Sequence, residues 1–96
     1  MKILISDSAL SDLKALKAYY LDEGVPHIGD EFVSGIIHRI ETIPDNPEIG
    51  RIVPEFNVTK VRELIYGPYR VVYLTECESI HVVRVWRSER LLRLAD

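Results

Sequence analysis

The chain has 96 residues, 47% hydrophobic and 28% charged, with a formal net charge of −3, a composition that excludes an intrinsically disordered protein. This length predicts one domain, spanning residues 1–96, with a small core. The chain lacks the roughly 18 consecutive apolar residues of a membrane span, and the opening MKILIS is too short for a secretion signal. The single Cys77 cannot form an internal disulfide. We therefore expect a reduced, cytoplasmic protein with no membrane partner.

Charge is distributed unevenly between the two halves of the chain. Residues 1–50 hold 4 Lys/Arg against 9 Asp/Glu, whereas residues 51–96 hold 8 against 6. An acidic chain is poorly suited to non-specific phosphate binding, because that affinity comes from neutralising phosphates with cations. A local basic site stays possible, and the asymmetry predicts that the second half builds the functional face.

The first half predicts a short strand at residues 2–5 and then two helices. Ser, Asp and Thr side chains favour helix N-termini, so the segment SDSALSD predicts a helix that begins near Ser8 and ends at Gly24. Pro26 suits the first turn of a second helix, which Pro44 ends. Each helix has one apolar stripe at helical spacing: Ala9, Leu13, Leu16 and Tyr20 in the first, and Ile28, Phe32, Ile36 and Ile40 in the second.

The second half predicts a proline-punctuated loop over residues 44–56 and then strands. Apolar residues recur with a period of two at about 60–66, 69–76 and 80–87, with turns at Gly67-Pro68 and at ECES. The predicted fold is α+β: a short N-terminal strand, an antiparallel helical hairpin over about 8–43, and a three-stranded antiparallel meander over about 60–87.

A two-residue turn at Gly67-Pro68 would fix the register of the first strand pair. Tyr66 then pairs with Tyr69, and every second residue shares a face. One face takes Val61, Glu63, Ile65, Arg70, Val72 and Leu74, and the other takes Arg62, Leu64, Tyr66, Tyr69, Val71 and Tyr73. The helices can cover only one face, so the other is expected to keep apolar residues beside charge, as a concave binding surface would.

Three segments of the chain, PEIGRIVPE, VRELIYGPYRVVY and IHVVRVWRSERLL, resemble the RelE/ParE superfamily of bacterial toxins. The resemblance implies the fold described above, neutralisation by a cognate antitoxin, and contact with operator DNA only through that antitoxin. RelE-like members cut messenger RNA in the ribosomal A site without a metal, and ParE-like members poison DNA gyrase. For cleavage, the protein must move protons and neutralise a phosphorane.

Matching the chain to RelE-like nucleases implies a small set of catalytic candidates. Arg70 falls at the arginine that those nucleases use against phosphate, but their two lysines fall at Val61 and Glu63, which cannot donate a proton as ammonium groups do. At the end of the last strand, ParE-like relatives often carry a histidine, and this chain has an arginine. If the protein is a nuclease, the resemblance implies these catalytic residues, with the loop glutamate as base: Arg70, Arg87, Arg90 and Glu55.

The last strand and its tail carry arginines at every third position, Arg84, Arg87, Arg90 and Arg93. They are interpreted either as a basic ridge for nucleic acid or an acidic antitoxin segment, or as a solvated surface whose ion pairs contribute little. The residues proposed to bind target or antitoxin are Arg51, Glu63, Arg70, Arg84, Trp86, Arg87 and Arg90.

Two of these binding candidates have a structural alternative to the functional interpretation. Arg70 is well placed to pair with Glu63 diagonally across the hairpin, since Glu63 would repel phosphate and attract an arginine. Trp86 could stack on a base, but a core role is favoured for a tryptophan near the end of a central strand.

The function favoured by these residues is gyrase inhibition by a ParE-like toxin. His27, His38 and His81 lie on three predicted elements without metal-ligand spacing, and no metal or cofactor is expected. The alternatives are a RelE-like endoribonuclease that acts on the ribosome and messenger RNA, and a non-toxic protein that retains only antitoxin binding.

Overall fold

The computed structural model describes residues 1–87, and Arg90 and Arg93 lie outside this range. Two helices pack on one face of a sheet, which confirms the predicted α+β fold. The elements are β1 (Lys2–Ile5), α1 (Asp7–Asp22), α2 (Pro26–Thr42), a 3-10 turn (Ile43–Asp45), β2 (Arg51–Ile52), β3 (Val61–Tyr66), β4 (Tyr69–Glu76) and β5 (Ser79–Arg87).

The ends of the helices follow from local capping. The Ser6 side chain accepts a hydrogen bond from the Ala9 amide at 3.0 Å, so α1 is capped at Ser6, two residues before the predicted start. Gly24 has φ +79°, a left-handed conformation that terminates the helix, and Pro26 occupies the first turn of α2. The short link makes the two helices an antiparallel hairpin, as predicted.

The sheet has five strands in the order β1-β5-β4-β3-β2. β1 pairs in parallel with β5, and the other pairs are antiparallel. The predicted register of β3 and β4 is confirmed, because Tyr66 pairs with Tyr69 and Ile65 with Arg70. Gly67 has φ +56° and closes the tight turn between them.

Two features of the sheet differ from the sequence prediction. The loop predicted over residues 44–56 contains β2, where Arg51 pairs with Glu63. In β5, Val82 pairs with Tyr73 and Arg84 with Val72, so Val83 between them has no partner on β4 and forms a bulge. The bulge resets the alternation, so that Val82 and Val85 both point to the helices.

The helices cover one face of the sheet completely. Leu64, Tyr69, Val71 and Tyr73 are buried against apolar side chains of the helical hairpin. The opposite face, here called the helix-free face, carries the other set of alternating residues and includes Arg70. Within residues 1–87, neither helix is long and apolar enough to cross a membrane.

Candidate functional site

A cluster of four charged side chains lies at the centre of the helix-free face. The Arg70 Nε donates to Glu63 Oε1 at 2.6 Å, and the Arg51 Nε donates to Glu63 Oε2 at 2.6 Å. Glu55 accepts from both Nη atoms of Arg70 at 3.3 Å. The cluster therefore pairs two guanidinium groups with two carboxylates, and Glu63 bridges the arginines.

The Arg70–Glu63 pair at the centre of this cluster is buried. The Arg70 and Glu63 side chains are 1% and 0% exposed, whereas those of Arg51 and Glu55 are largely accessible to solvent. Hydrogen bonds from Arg70 lower the pKa of Glu55 below its ordinary value. The Arg70 guanidinium is thus held between two carboxyl groups and is shielded from any phosphate in solution.

The loop between β2 and β3 (residues 53–60) covers the middle of the helix-free face. Val53 is buried, and its carbonyl accepts from the Asn57 amide at 2.8 Å, which closes a compact turn. Asn57 has φ +52°, a conformation that Asn tolerates better than most residues. Glu55 and Phe56 sit on this turn, so the loop brings a carboxylate to Arg70 and an aromatic ring to the neighbouring apolar surface.

Trp86 lies on the helix-free face between two arginines. The Arg70 and Arg84 Cζ atoms are 5.8 and 5.1 Å from the centroid of its ring, within the range of cation–π attraction. Trp86 keeps partial exposure and is absent from the core cluster, so the favoured interpretation as a core residue is wrong. The physical reason is the bulge, which places Val85 rather than Trp86 against the helices.

Arg87 lies on the opposite face, where its direct partner across the strands is Tyr69. Its Nη1 donates to the Tyr69 hydroxyl at 3.1 Å and to the Tyr20 hydroxyl at 3.4 Å, and its Cζ is 5.8 Å from the Tyr19 ring centroid. Burial raises the pKa of Tyr69 to about 12. Arg84 and Arg87 therefore start on different faces of β5 and do not form one ridge.

Both arginines line a cleft between α1 and the end of β5, here called the edge cleft. Asp12 of α1 binds the Arg84 guanidinium at 2.8 and 3.0 Å and also accepts from the Val85 amide at 2.8 Å. The hydrogen bonds that Arg84 donates to Asp12 raise the pKa of Arg84 above its ordinary value. The cleft is lined by Asp12, Ala15, Leu16, Tyr19, Tyr69, Arg84, Val85, Trp86 and Arg87.

The structure thus brings together some of the candidates named from the sequence and separates others. Arg51, Glu55, Glu63 and Arg70 form the charged cluster, and Trp86 and Arg84 extend it along the same face. Arg87 belongs to the tyrosine-lined side, and Arg90 lies outside the described residues. Among residues 1–87, no group of three or more His, Cys, Asp or Glu side chains could hold a metal ion.

Sequence reasoning missed two side chains that shape the site, Asp12 and Phe56. In the sequence, Asp12 has the pattern of an ordinary exposed helix residue. Its partners Arg84 and Val85 are more than 70 positions away, so no local pattern indicates their contact. Phe56 falls in a loop with no periodicity, so the surface that it contacts could not be predicted from its neighbours. The only signal was composition, since a phenylalanine in a polar loop is unusual.

Comparison with known proteins places this chain in a family. The sequence profile of the family described as "ParE toxin of type II toxin-antitoxin system, parDE" matches residues 3–92. A chain of the chromosomal ParDE TA system from P. aeruginosa has the same fold, with a TM-score of 0.76 and 21% identity over 91% of this chain and 95% of that chain. No curated protein is significantly similar in sequence. The chain therefore belongs to the ParE toxin family of type II toxin–antitoxin systems.

Proposed function

We propose that the protein is a toxin that inhibits DNA gyrase by binding it in the cytoplasm, and that a cognate antitoxin neutralises it. Membership of the ParE toxin family supports the toxin–antitoxin assignment. The single observation that favours a binding toxin over a nuclease is the state of Arg70, which is 1% exposed and held by Glu63 and Glu55.

Cleavage of RNA through its own 2′-hydroxyl needs a cation that can contact the phosphate as charge develops. Arg70 could do so only if Glu55, and the loop that carries it, left the guanidinium, which is 1% exposed. A toxin that acts by binding has no such requirement. The charged cluster then serves to hold the loop at residues 53–60 on the sheet.

The alternative function, a RelE-like endoribonuclease, is favoured by one contact, because Glu55 lies 3.3 Å from Arg70 and could pair a base with a cation. The Glu55–Arg70 contact also argues against the endoribonuclease. The lowered pKa of Glu55 makes it a poor acceptor for the proton of a ribose hydroxyl, since a general base works best with a pKa near the working pH.

The experiment that tests the proposal is a supercoiling assay with purified gyrase and a titration of this protein. We expect supercoiling to fall at micromolar or lower toxin and to recover when the protein encoded by the neighbouring gene is added first. Supercoiling that stays unchanged would reject gyrase as the target. Primer extension on translated messenger RNA tests the nuclease, which requires A-site cuts that Arg70→Ala abolishes.

Growth measurements separate a toxin from a protein that only binds antitoxin. Strong induction without the antitoxin gene is expected to stop growth, and co-expression of that gene is expected to restore it. Normal growth under strong induction would favour the non-toxic alternative.

A further inference from the structure

The helix-free face contains an apolar cavity beside the charged cluster. Its volume is about 390 Å³, within the range of roughly 300–1,000 Å³ found for binding pockets. The loop at residues 53–60 forms one wall and strands β3, β4 and β5 form the floor. The lining residues are Phe56, Val58, Val61, Val72, Leu74, Val83, Arg84 and Trp86, and we call this space the loop cavity.

The wall of the loop cavity is pre-formed and still incompletely buried. Phe56 and Val58 are 56% and 44% exposed, although both line the cavity. The Glu55–Arg70 contact and the turn at Val53 hold the loop in place. A partner that fills the cavity would therefore gain apolar burial without first ordering the loop, and such pre-organisation favours binding.

Charge at the two ends of the face defines what kind of partner fits. One lateral row across the sheet runs Arg51, Glu63, Val72, Arg84, so its end arginines are about 14 Å apart at the usual strand spacing. Among residues 1–87, nothing accepts a hydrogen bond from the two Nη atoms of Arg51 or from Nη1 of Arg84. These groups can each bind a carboxylate from outside, Arg84 at the loop cavity and Arg51 on the far side of Glu63 from it.

The size of the face argues for a reversible partner. Five strands of this length present on the order of 500 Å² to a partner, and the centre is already covered by the chain's own loop. Counted over both partners this is about 1,000 Å² in total, which matches small, transient interfaces, whereas permanent complexes bury about 2,000 Å² or more in total. An enzyme inhibited by the toxin fits this limit better than an antitoxin that must hold the toxin for long periods.

We propose that the loop cavity docks a segment of the toxin's target protein that carries an apolar side chain between two acidic residues. The apolar side chain enters the cavity beside Phe56 and Trp86, and the carboxylates bind Arg51 and Arg84. This inference rests on the proposed function for the identity of the target, and it adds the face and the chemistry by which the target is recognised.

The test compares aspartate substitutions in the loop wall with a matched substitution elsewhere. Phe56→Asp and Val58→Asp place a charge in the cavity at positions exposed enough to tolerate it. The matched control is Leu21→Asp, which places a charge outside the cavity at a 62% exposed position on α1. Four quantities are measured for each variant: the thermal midpoint, antitoxin affinity, gyrase inhibition and growth arrest on induction.

We expect both loop variants to need about tenfold more protein for half-inhibition of gyrase and to relieve growth arrest, since truncating a central contact typically has an effect of this size. Their thermal midpoints and antitoxin affinities should match the wild type, and Leu21→Asp should match it in thermal midpoint, gyrase inhibition and growth arrest. Phe56→Leu should retain inhibition, because it keeps an apolar side chain in the cavity. Arg51→Ala should weaken inhibition by a smaller factor.

Other outcomes overturn the inference. Unchanged inhibition by both loop variants would exclude the cavity as the docking site, and loss of antitoxin affinity with intact growth arrest would assign it to the antitoxin. If the wild type stops growth without inhibiting gyrase, the proposed target is wrong. Relief of that arrest by Phe56→Asp would then still support docking at the cavity, and persistent arrest would reject it.

Discussion

The structure changes the interpretation of Arg70. As a sequence position it matches an arginine that contacts phosphate, but in the fold it is an internal cation held by Glu63 and Glu55. A buried guanidinium with satisfied partners stabilises a particular arrangement of strands and loop. Its role in the fold is therefore to hold the loop that carries Phe56 against the sheet beside Trp86.

The first residue-scale prediction concerns the buried carboxylate. Glu63→Gln keeps the shape of the side chain but leaves two guanidinium groups without their shared charge, so it should lower the free energy of unfolding by about 3–5 kcal/mol in urea denaturation. Glu48→Gln is the control, because Glu48 is 81% exposed and its carboxylate lies as far as 3.9 Å from the Arg62 guanidinium. This substitution should lower the free energy of unfolding by less than about 1 kcal/mol. Equal effects of the two substitutions would contradict an internal pair.

The second residue-scale prediction concerns alkaline stability. Because the pKa of Tyr69 is raised to about 12, the unfolded chain loses this proton near pH 10 while the folded chain retains it. Stability present below pH 10 is therefore lost as pH rises towards 12. Burial raises the pKa of Tyr73 as well, so Tyr69→Phe should flatten this loss only in part.

The alkaline effect is measured as the urea midpoint at pH 8, 10 and 11. The exposed Tyr19→Phe is the matched control and should follow the wild type. A Tyr69→Phe profile that overlays the wild type would show that the Tyr69 proton is not linked to folding.

At the scale of elements, the start of α1 is tied to the bulge of β5. The Ser6 side chain caps the helix by accepting from the Ala9 amide, and its hydroxyl donates to the Val83 carbonyl at 3.0 Å. Val83 is the residue that the bulge leaves without a partner on β4. Ser6→Ala should thus cost about 1 kcal/mol for the cap, with a further loss at Val83. Ser8→Ala, at an exposed position in the first turn, should be nearly neutral, and a similar cost for both would disprove the link.

A second contact between elements depends on a glycine in α2. A methyl group at Gly35 would overlap the hydroxyl and ring of Tyr66 on β3, so Gly35→Ala should destabilise the protein despite the better helix propensity of alanine. The sign should reverse in a Tyr66→Ala background, where the space is open and alanine should stabilise by up to about 1 kcal/mol. Thermal unfolding of the two single variants and the double variant measures this coupling.

Local patterns were sufficient to predict the helical hairpin and the meander. Apolar stripes, Gly24 and Pro26 mark the helices, and the Gly67-Pro68 turn sets the register of β3 and β4. They could not predict β2 or the bulge at Val83. A two-residue strand is defined only by its pairing with Arg62 and Glu63 of β3, and a bulge at Val83, between Val82 and Arg84, leaves no mark in composition.

At the scale of the whole molecule, the candidate site was predicted in part. Alternation placed Glu63 and Arg70 on one face, which the helices leave open, but it could not show that the chain's own loop covers the pair. The three-residue spacing of the arginines was compatible with one ridge, but residues three apart on a regular strand point to opposite faces, so Arg84 and Arg87 lie on different faces. The contact of Arg84 with Asp12, far away in the sequence, could not be predicted from local patterns.

The two layers of the molecule provide different surfaces. One side presents the outer surface of the helical hairpin, and the other presents the loop cavity and its arginines. The two surfaces face opposite directions, so a partner bound to one need not block the other by direct overlap. A substitution confined to the loop cavity should therefore leave a partner bound on the helical side unaffected.

The central claim is that this toxin acts by binding gyrase and not by cutting RNA. The most direct measurement is to induce the wild-type protein in cells without its antitoxin and to follow plasmid supercoiling, the DNA damage response and protein synthesis over time. We expect plasmids to lose negative supercoiling, and the damage response to rise, before protein synthesis falls. Immediate arrest of protein synthesis with cut messenger RNA and normal plasmid supercoiling would contradict it.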